Sequence, residues 1–182
     1  MSAPAIPALS GLPSAPKRII LHWTGGAKSA NGMDRQHYHY IINQDGTIVA
    51  GVHPVAANLK AQLANGAYAA HTGGYNTGSV GVSFAGMLNA VRGGSFGPAP
   101  LTASQVAAGL RFVTQLCDKW QIEPTHKRLF THMEAWTLHG VKGVQNDKKW
   151  DIAALQFRPD LGEADVGPWL RDEVRRLQNA GG

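Results

Sequence analysis

The sequence has a single cysteine, Cys117, which excludes both an intrachain disulfide and a metal site built from several cysteines. It also lacks a run of about eighteen apolar residues, so it offers no candidate for a transmembrane helix. Residues 1–16 show no basic segment followed by an unbroken apolar stretch, and we therefore expect synthesis in the cytoplasm without a signal peptide. Clusters of lysine and arginine with interleaved aromatic residues are missing too, which argues against nucleic-acid binding.

What is present fits one domain. The chain has 182 residues, of which 43% are hydrophobic, enough for one buried core. The formal net charge of +5 is compatible with an anionic partner such as nucleic acid, a membrane surface or an acidic cell-wall polymer, and equally with a solvated surface. Charge alone does not choose among these. Eight histidines make a metal site of imidazole and carboxylate ligands feasible.

The first sixteen residues differ in composition from the rest. They contain four prolines, Pro4, Pro7, Pro13 and Pro16, among serine, alanine and glycine. Proline prevents regular helix and central strand, so we expect an extended or disordered leader over 1–16. The remaining residues, 17–182, are predicted to form the folded domain.

Strands are predicted from short apolar runs that end at glycine or polar residues. The first is Arg18–Trp23 (RIILHW), followed by Gly25 and Gly26. A hairpin is expected from 38–42 and 47–52, because Asp45 and Gly46 supply turn chemistry between them. Two more candidates are Ser79–Phe84, after a glycine-rich loop, and Leu129–Thr131.

Two helices are predicted from helical spacing of apolar residues. Thr102 can cap the first, with Gln105 three residues on, and the apolar positions run to Trp120 and place Cys117 in the core. The second is a closing helix that starts near Pro168. Strands and helices intermingle, so the fold class is α/β: one domain with a mixed central β-sheet flanked by helices.

Three residues stand out as candidate metal ligands. His22 and His132 each follow a strand-like run, and Asp151 offers a carboxylate in a third segment. The three are far apart in sequence and form no compact ligand motif, so spacing alone does not establish a site.

Six segments, in order, resemble a known family. They are 20–24 (ILHWT), 38–42 (YHYII) with the following DGT, 70–76 (AHTGGYN), 79–82 (SVGV), 131–134 (THME) and 149–151 (KWD). Over about residues 17–168 the chain is similar to the zinc-dependent N-acetylmuramoyl-L-alanine amidases of type 2, which include phage lysozymes and peptidoglycan recognition proteins. The resemblance implies their fold, a peptidoglycan or muropeptide substrate, and cleavage of the amide between N-acetylmuramic acid and L-alanine.

The resemblance also implies roles for individual residues. Zn²⁺ is expected to bind His22, His132 and Asp151, a set that leaves a fourth position open for water, as in catalytic zinc sites. Lys149 matches a lysine that stabilises the developing oxyanion. Tyr38 matches a tyrosine beside the metal that assists proton transfer or orients the water.

Further residues match the family less completely. His71 and Asn76 lie where the family has its substrate groove, and both are predicted to bind muropeptide. Some relatives carry a glutamate as general base on the strand where this chain has Ser83, which leaves the base open. Glu134 is the nearest acidic alternative, and we favour a structural contact for it. The stretch between His132 and Lys149 is predicted to form a loop over the groove.

The remaining histidines receive no catalytic role, although His126 or His139 would replace His132 if the motif were misaligned. Two alternatives to the amidase stay open: a noncatalytic peptidoglycan-binding module, and a zinc peptidase that cuts within the stem peptide. For the biological role we expect a monomeric phage endolysin that reaches the cell wall through holin lesions. A cytoplasmic muropeptide-recycling amidase is the alternative.

Overall fold

The computed structural model describes residues 3–140 and 149–181. The strands are Arg18–Trp23 (β1), Tyr40–Ile42 (β2), Ile48–Ala50 (β3), Ser79–Phe84 (β4) and Leu129–Thr131 (β5). The helices are Gly32–His37 (α1), Val55–Asn58 (α2), Ala103–Trp120 (α3), His132–Thr137 (α4) and Glu163–Ala180 (α5), with a short 3-10 turn at Leu9–Gly11. The predicted mixed α/β fold is confirmed.

Within the described residues the strands form one sheet in the order β3-β2-β4-β1-β5. β1 lies parallel to both β4 and β5, and β2 pairs parallel with β4 and antiparallel with β3. The sheet register places His22 opposite Ser83, and Leu21 opposite Thr131. The carboxyl ends of β1, β4 and β5 therefore meet at one edge of the sheet.

One face of the sheet carries the main hydrophobic core. Alternate side chains of β1, β4 and β5 point to the same face, and on this face they pack against apolar residues of α3 and α5. They include Ile19, Leu21, Val80, Val82 and Leu129. The intervening positions point to the opposite face.

The opposite face is smaller and more polar. Ile20 and Phe130 form a second apolar cluster there with Ala135 of α4. Because His22 and Ser83 are two residues beyond Ile20 and Gly81, strand alternation puts them on this face as well. Strand alternation thus places the buried His22 on the face of the second apolar cluster and not in the main core.

The long helix α3 forms as its sequence predicts. Thr102 is the N-cap and exchanges capping-box hydrogen bonds with Gln105. The Gln105 amide also donates to the backbone carbonyls of Ile42 and Ala85, at 3.0 and 2.8 Å, which ties the helix start to the sheet. Cys117 is buried, as predicted.

Element boundaries differ from the predictions in several places. β2 begins at Tyr40 rather than at residue 38, and the short helices α1, α2 and α4 were not predicted. Helix α5 begins at Glu163 rather than near Pro168, which lies inside it. The acidic residues Glu163 and Asp165 in its first turn favour this earlier start, because carboxylates stabilise the positive end of a helix dipole.

The leader makes contacts with the domain. Ile6, Leu9 and Leu12 pack against the main core. The indole of Trp120 donates a hydrogen bond to the carbonyl of Pro7 at 3.0 Å. Across residues 3–140 and 149–181, no helix has the length and apolar character needed to cross a membrane.

Candidate metal centre

Three buried side chains from distant parts of the chain meet on the second face of the sheet. His22 lies in β1, His132 is the first residue of α4, and Asp151 follows the described residues Lys149 and Trp150. Each offers one ligand atom, and these atoms all lie within 4.8 Å of one another. This grouping is the one that sequence spacing could not establish.

The donor set fits a zinc ion. Nδ1 of His22 lies 2.9 Å from Oδ2 of Asp151, and Nδ1 of His132 lies 3.3 Å from the same oxygen. Zinc bonds of about 2.0–2.1 Å in a tetrahedron separate neighbouring ligand atoms by about 3.3 Å. Two imidazoles and one carboxylate are a ligand set typical of catalytic zinc, so these residues could hold the ion with little rearrangement.

Asp151 is held in place through its backbone. Its carbonyl oxygen accepts a hydrogen bond of 2.7 Å from the backbone N–H of Met133, the residue after His132. The neighbouring Trp150 packs edge-to-face on Trp23, with ring centroids 4.6 Å apart. The carboxylate is thus anchored to both segments that supply the two histidines.

The charge state of the group suits metal binding. Burial lowers the pKa of His22 to about 4, against an opposing hydrogen bond to Asp151, so this imidazole is neutral at pH 7. Burial alone would raise the pKa of Asp151, but its contacts with His132 and His22 outweigh burial and hold it well below its usual value. A neutral imidazole and an ionised carboxylate are the forms that ligate a cation.

Tyr38 lies beside His22, with ring centroids 5.1 Å apart. Its hydroxyl donates a long hydrogen bond of 3.5 Å to the carbonyl of Trp23. Burial raises the pKa of Tyr38, the charge of Asp151 raises it further, and an interaction with the Ser83 hydroxyl opposes both. The phenol therefore stays protonated at neutral pH. Ser83, which stands where some relatives carry a glutamate as general base, therefore faces Tyr38.

Lys149 lies at the solvent side of the group. Its side chain is exposed, and its positive charge contributes to the lowered pKa of His22. The ammonium is therefore within electrostatic reach of the cluster. Of the stretch between His132 and Lys149 that was predicted to form a loop over the groove, the residues up to Thr137 form helix α4 instead, and residues 141–148 lie outside the described residues.

His71 and Asn76, predicted to bind substrate, are both buried, with 6% and 8% of their surface exposed. The Asn76 side-chain oxygen accepts hydrogen bonds from the backbone N–H groups of His71 and Thr72, at 3.0 and 2.8 Å. Burial, with the neighbouring histidines, lowers the pKa of His71 well below its ordinary value. Their contact with substrate stays a prediction.

Glu134 makes the structural contact that we favoured. Its carboxylate accepts two hydrogen bonds from the guanidinium of Arg171, at 2.9 and 2.8 Å, and one from the backbone N–H of Thr131 at 2.9 Å. All of these groups are buried. The Glu134 carboxylate is therefore committed to this network.

His126 and His139, considered as replacements for His132, pair with each other instead. Their rings stack 6.5 Å apart, and Nε2 of His139 donates to the carbonyl of His126 at 2.8 Å. Across the described ranges, the group of three that could hold a metal contains His132 and neither of them.

Sequence reasoning missed a buried polar pair next to the site. Nδ1 of His39 accepts a hydrogen bond from the backbone N–H of Gly81, and its Nε2–H donates to Asn58 at 3.1 Å. The Asn58 amide in turn donates to the carbonyls of Ala69 and Asn76. The signal that could have indicated burial of His39 is its position directly before the buried strand β2, whose alternation of faces it continues.

Comparison with known proteins finds a family match and similar folds. The profile of a family described as N-acetylmuramoyl-L-alanine amidase matches residues 12–152. Among solved structures, the amidase LysC from Clostridium intestinale URNW is 18% identical, with a TM-score of 0.51 over 96% of this chain and 91% of that one. The endolysin LysCS from the same organism is also 18% identical, with a TM-score of 0.50 over 96% and 90%. No curated protein matches the chain.

Proposed function

The chain belongs to the N-acetylmuramoyl-L-alanine amidase family, and we propose that it is a zinc-dependent peptidoglycan amidase whose metal is held by His22, His132 and Asp151. The observation that carries this proposal is the convergence of the three buried ligand atoms within 4.8 Å. A buried carboxylate beside two imidazoles is costly unless it is paired or binds a cation, so the cluster has the composition of a metal site.

When bound, zinc would supply a Lewis acid that polarises the scissile carbonyl and lowers the pKa of water. The chain's own residues set the conditions for this. His22 remains neutral and Asp151 ionised at pH 7. The ligand charges then offset only part of the charge of the ion, which preserves its electrophilic character.

Lys149 and Tyr38 are proposed to act on the substrate. Lys149 is proposed to neutralise negative charge that develops on the carbonyl oxygen, and its exposure and its contribution to the lowered pKa of His22 support this role. Because the pKa of Tyr38 is raised, its hydroxyl acts as a hydrogen-bond donor rather than as a base. It would orient the reacting groups beside His22.

The proposed bond is the amide between the lactyl group of N-acetylmuramic acid and L-alanine. Cleavage there leaves a carboxylate on the sugar and a free amine on L-alanine. A zinc peptidase that cut within the stem peptide would free the amine of a different residue. A noncatalytic binding module would free none.

These outcomes define the test. Purified protein is incubated with muropeptide, and new amino termini are identified by end-group labelling before and after metal removal with a chelator. We expect labelled L-alanine, loss of the label after chelation, and recovery with added Zn²⁺. Label on another residue would exclude the amide assignment, and activity that survives complete metal removal would exclude the zinc dependence.

For the biological role we propose host lysis by a monomeric phage endolysin that is made in the cytoplasm and reaches the wall through holin lesions. The net charge of +5 favours adsorption to an anionic envelope. The alternative is a recycling amidase that acts on soluble fragments. Faster turnover of intact sacculi than of soluble anhydromuropeptides is expected for the endolysin, and the reverse preference would support recycling.

A further inference from the structure

His22 has a second buried neighbour on the side of its ring that faces away from Asp151. Nε2 of His22 lies 3.2 Å from Nδ1 of His71 and 3.5 Å from the hydroxyl of Thr72. The Thr72 hydroxyl is itself 3.0 Å from Nδ1 of His71. The proposed ligand therefore sits between a carboxylate at Nδ1 and an imidazole at Nε2.

This arrangement constrains the position of one proton. A metal at Nδ1 of His22 requires the lone pair of that nitrogen, so the ring proton must then be on Nε2. The nearest atom that can accept it is Nδ1 of His71. Such an outer partner fixes both the tautomer and the orientation of a ligating imidazole.

His71 is built into the fold in a way that suits this contact. Residue 81 of β4 is glycine, and a Cβ atom there would lie 2.6 Å from Cγ of His71, so the ring occupies space that any other residue would fill. The backbone N–H groups of His71 and Thr72 both donate hydrogen bonds to the Asn76 side-chain oxygen, which holds this segment in place. Nε2 of His71 is buried and makes no hydrogen bond of normal geometry within 3–140 and 149–181. The contacts that orient its ring are those at Nδ1.

We propose that His71 is a positioning residue for the metal ligand His22: its Nδ1 accepts the hydrogen bond of His22 Nε2–H and keeps Nδ1 of His22 free for zinc. This inference rests on the proposed function. It differs from a substrate-binding role, because His71 acts through His22 and its loss weakens metal binding whether or not substrate is present.

The test compares two substitutions by their zinc affinity. His71→Asn places an amide group, whose oxygen can accept a hydrogen bond, near the position of Nδ1. His71→Phe keeps a planar ring but removes both nitrogens. Zinc dissociation constants are measured by competition with a chromogenic chelator, without substrate. We expect His71→Phe to weaken zinc binding about 10- to 100-fold, and His71→Asn to recover most of that loss. His126→Asn, which changes an exposed histidine outside the proposed site, serves as the matched control and should bind zinc like the wild type.

Proton-detected ¹⁵N NMR of the zinc-loaded wild type supplies a readout that does not depend on how a variant folds. The expected spectrum has the His22 ring proton on Nε2 and an unprotonated Nδ1. A ring proton on Nδ1 of His22 would overturn the proposal.

Other outcomes separate this proposal from the proposed function. Zinc affinity in His71→Phe equal to wild type would overturn the positioning role while leaving the zinc site intact. A raised KM with unchanged zinc affinity would assign His71 to substrate binding instead. An equal loss of zinc affinity in His71→Phe and His71→Asn would show that His71 acts through packing alone, which would also overturn the positioning role. A wild-type protein that binds no zinc would refute the proposed function itself.

Discussion

The guanidinium of Arg171 in α5 holds the carboxylate of Glu134 in α4 through two hydrogen bonds of 2.9 and 2.8 Å. Both side chains are buried. Glu134 also accepts the backbone N–H of Thr131, the cap of the helix that begins at His132. The closing helix is therefore coupled to the turn that presents a proposed metal ligand.

Loss of this ion pair should destabilise the fold strongly. Arg171→Met would leave a buried carboxylate without its partner, which costs about 3–5 kcal/mol. Arg176→Met removes an exposed pair with Glu173 and should cost less than about 1 kcal/mol. Urea unfolding of both metal-free variants at pH 7 measures the difference. Similar costs for the two variants would show that Glu134 does not depend on Arg171.

Gly81→Ala should displace the His71 ring next to the candidate metal site. The added methyl would lie 2.6 Å from Cγ of His71, too close for normal contact, so the buried ring must move. Overpacking of this kind costs about 1–3 kcal/mol. Gly32→Ala, where a Cβ meets nothing within 4 Å, is the matched control. We expect Gly81→Ala, but not Gly32→Ala, to lower stability and weaken zinc binding. Equal stability and zinc affinity of the two variants would contradict the tight packing of His71 against Gly81.

Stability of the metal-free protein should fall as the pH drops below 6.5. Burial lowers the pKa of His39 to about 4, against the opposing effect of its hydrogen bonds with Asn58 and Gly81. Above pH 6.5 His39 is neutral in both states and contributes no pH dependence. Between pH 6.5 and 4 the unfolded chain binds a proton that folded His39 does not, which costs up to about 3 kcal/mol.

The variant His39→Gln isolates this contribution, because glutamine does not titrate. Unfolding free energies from urea titrations between pH 7 and 4.5 should decline less steeply in the variant than in the wild type. The lowered pKa of His22 acts in the same direction and persists in both proteins. Parallel pH profiles would show that His39 does not carry a depressed pKa.

Lys149 is predicted to act on the reaction and not on metal binding. Lys149→Ala should reduce kcat by about a hundredfold, as the loss of an oxyanion-stabilising group does. Zinc content should stay at the wild-type level, because Lys149 is not a ligand. Lys127→Ala, another exposed lysine, provides the control for loss of surface charge. Equal activities of the two variants would remove Lys149 from the catalytic group.

The sequence was most informative where local chemistry determines structure. Helix α3 follows from the cap at Thr102 and the apolar spacing up to Trp120, and β1 matches its predicted bounds. The short helices did not stand out, because elements of four to six residues depend on tertiary contacts rather than on propensity. Pro168 predicted too late a start for α5, because a proline also fits within the first turns of a helix, and the acidic residues Glu163 and Asp165 mark the observed start.

The candidate site shows the same division. Family resemblance selected His22, His132 and Asp151, but their approach depends on parallel pairing of β1 with β5 and on the Met133–Asp151 backbone hydrogen bond. Such long-range contacts leave no periodic trace in a single sequence. The contact between His71 and His22 is long-range in the same way. It also requires the space that Gly81 leaves on the neighbouring strand β4, so it could not be predicted from the sequence.

The most direct measurement is the zinc content and muropeptide hydrolysis of Asp151→Ala, compared with Asp160→Ala, which changes an exposed aspartate. Wild type and Asp160→Ala should each hold about one zinc ion per chain and release free L-alanine amine, and Asp151→Ala should do neither, because a third ligand is needed for tight binding. Asp151→Ala with a full complement of zinc and wild-type activity would contradict the proposed metal centre.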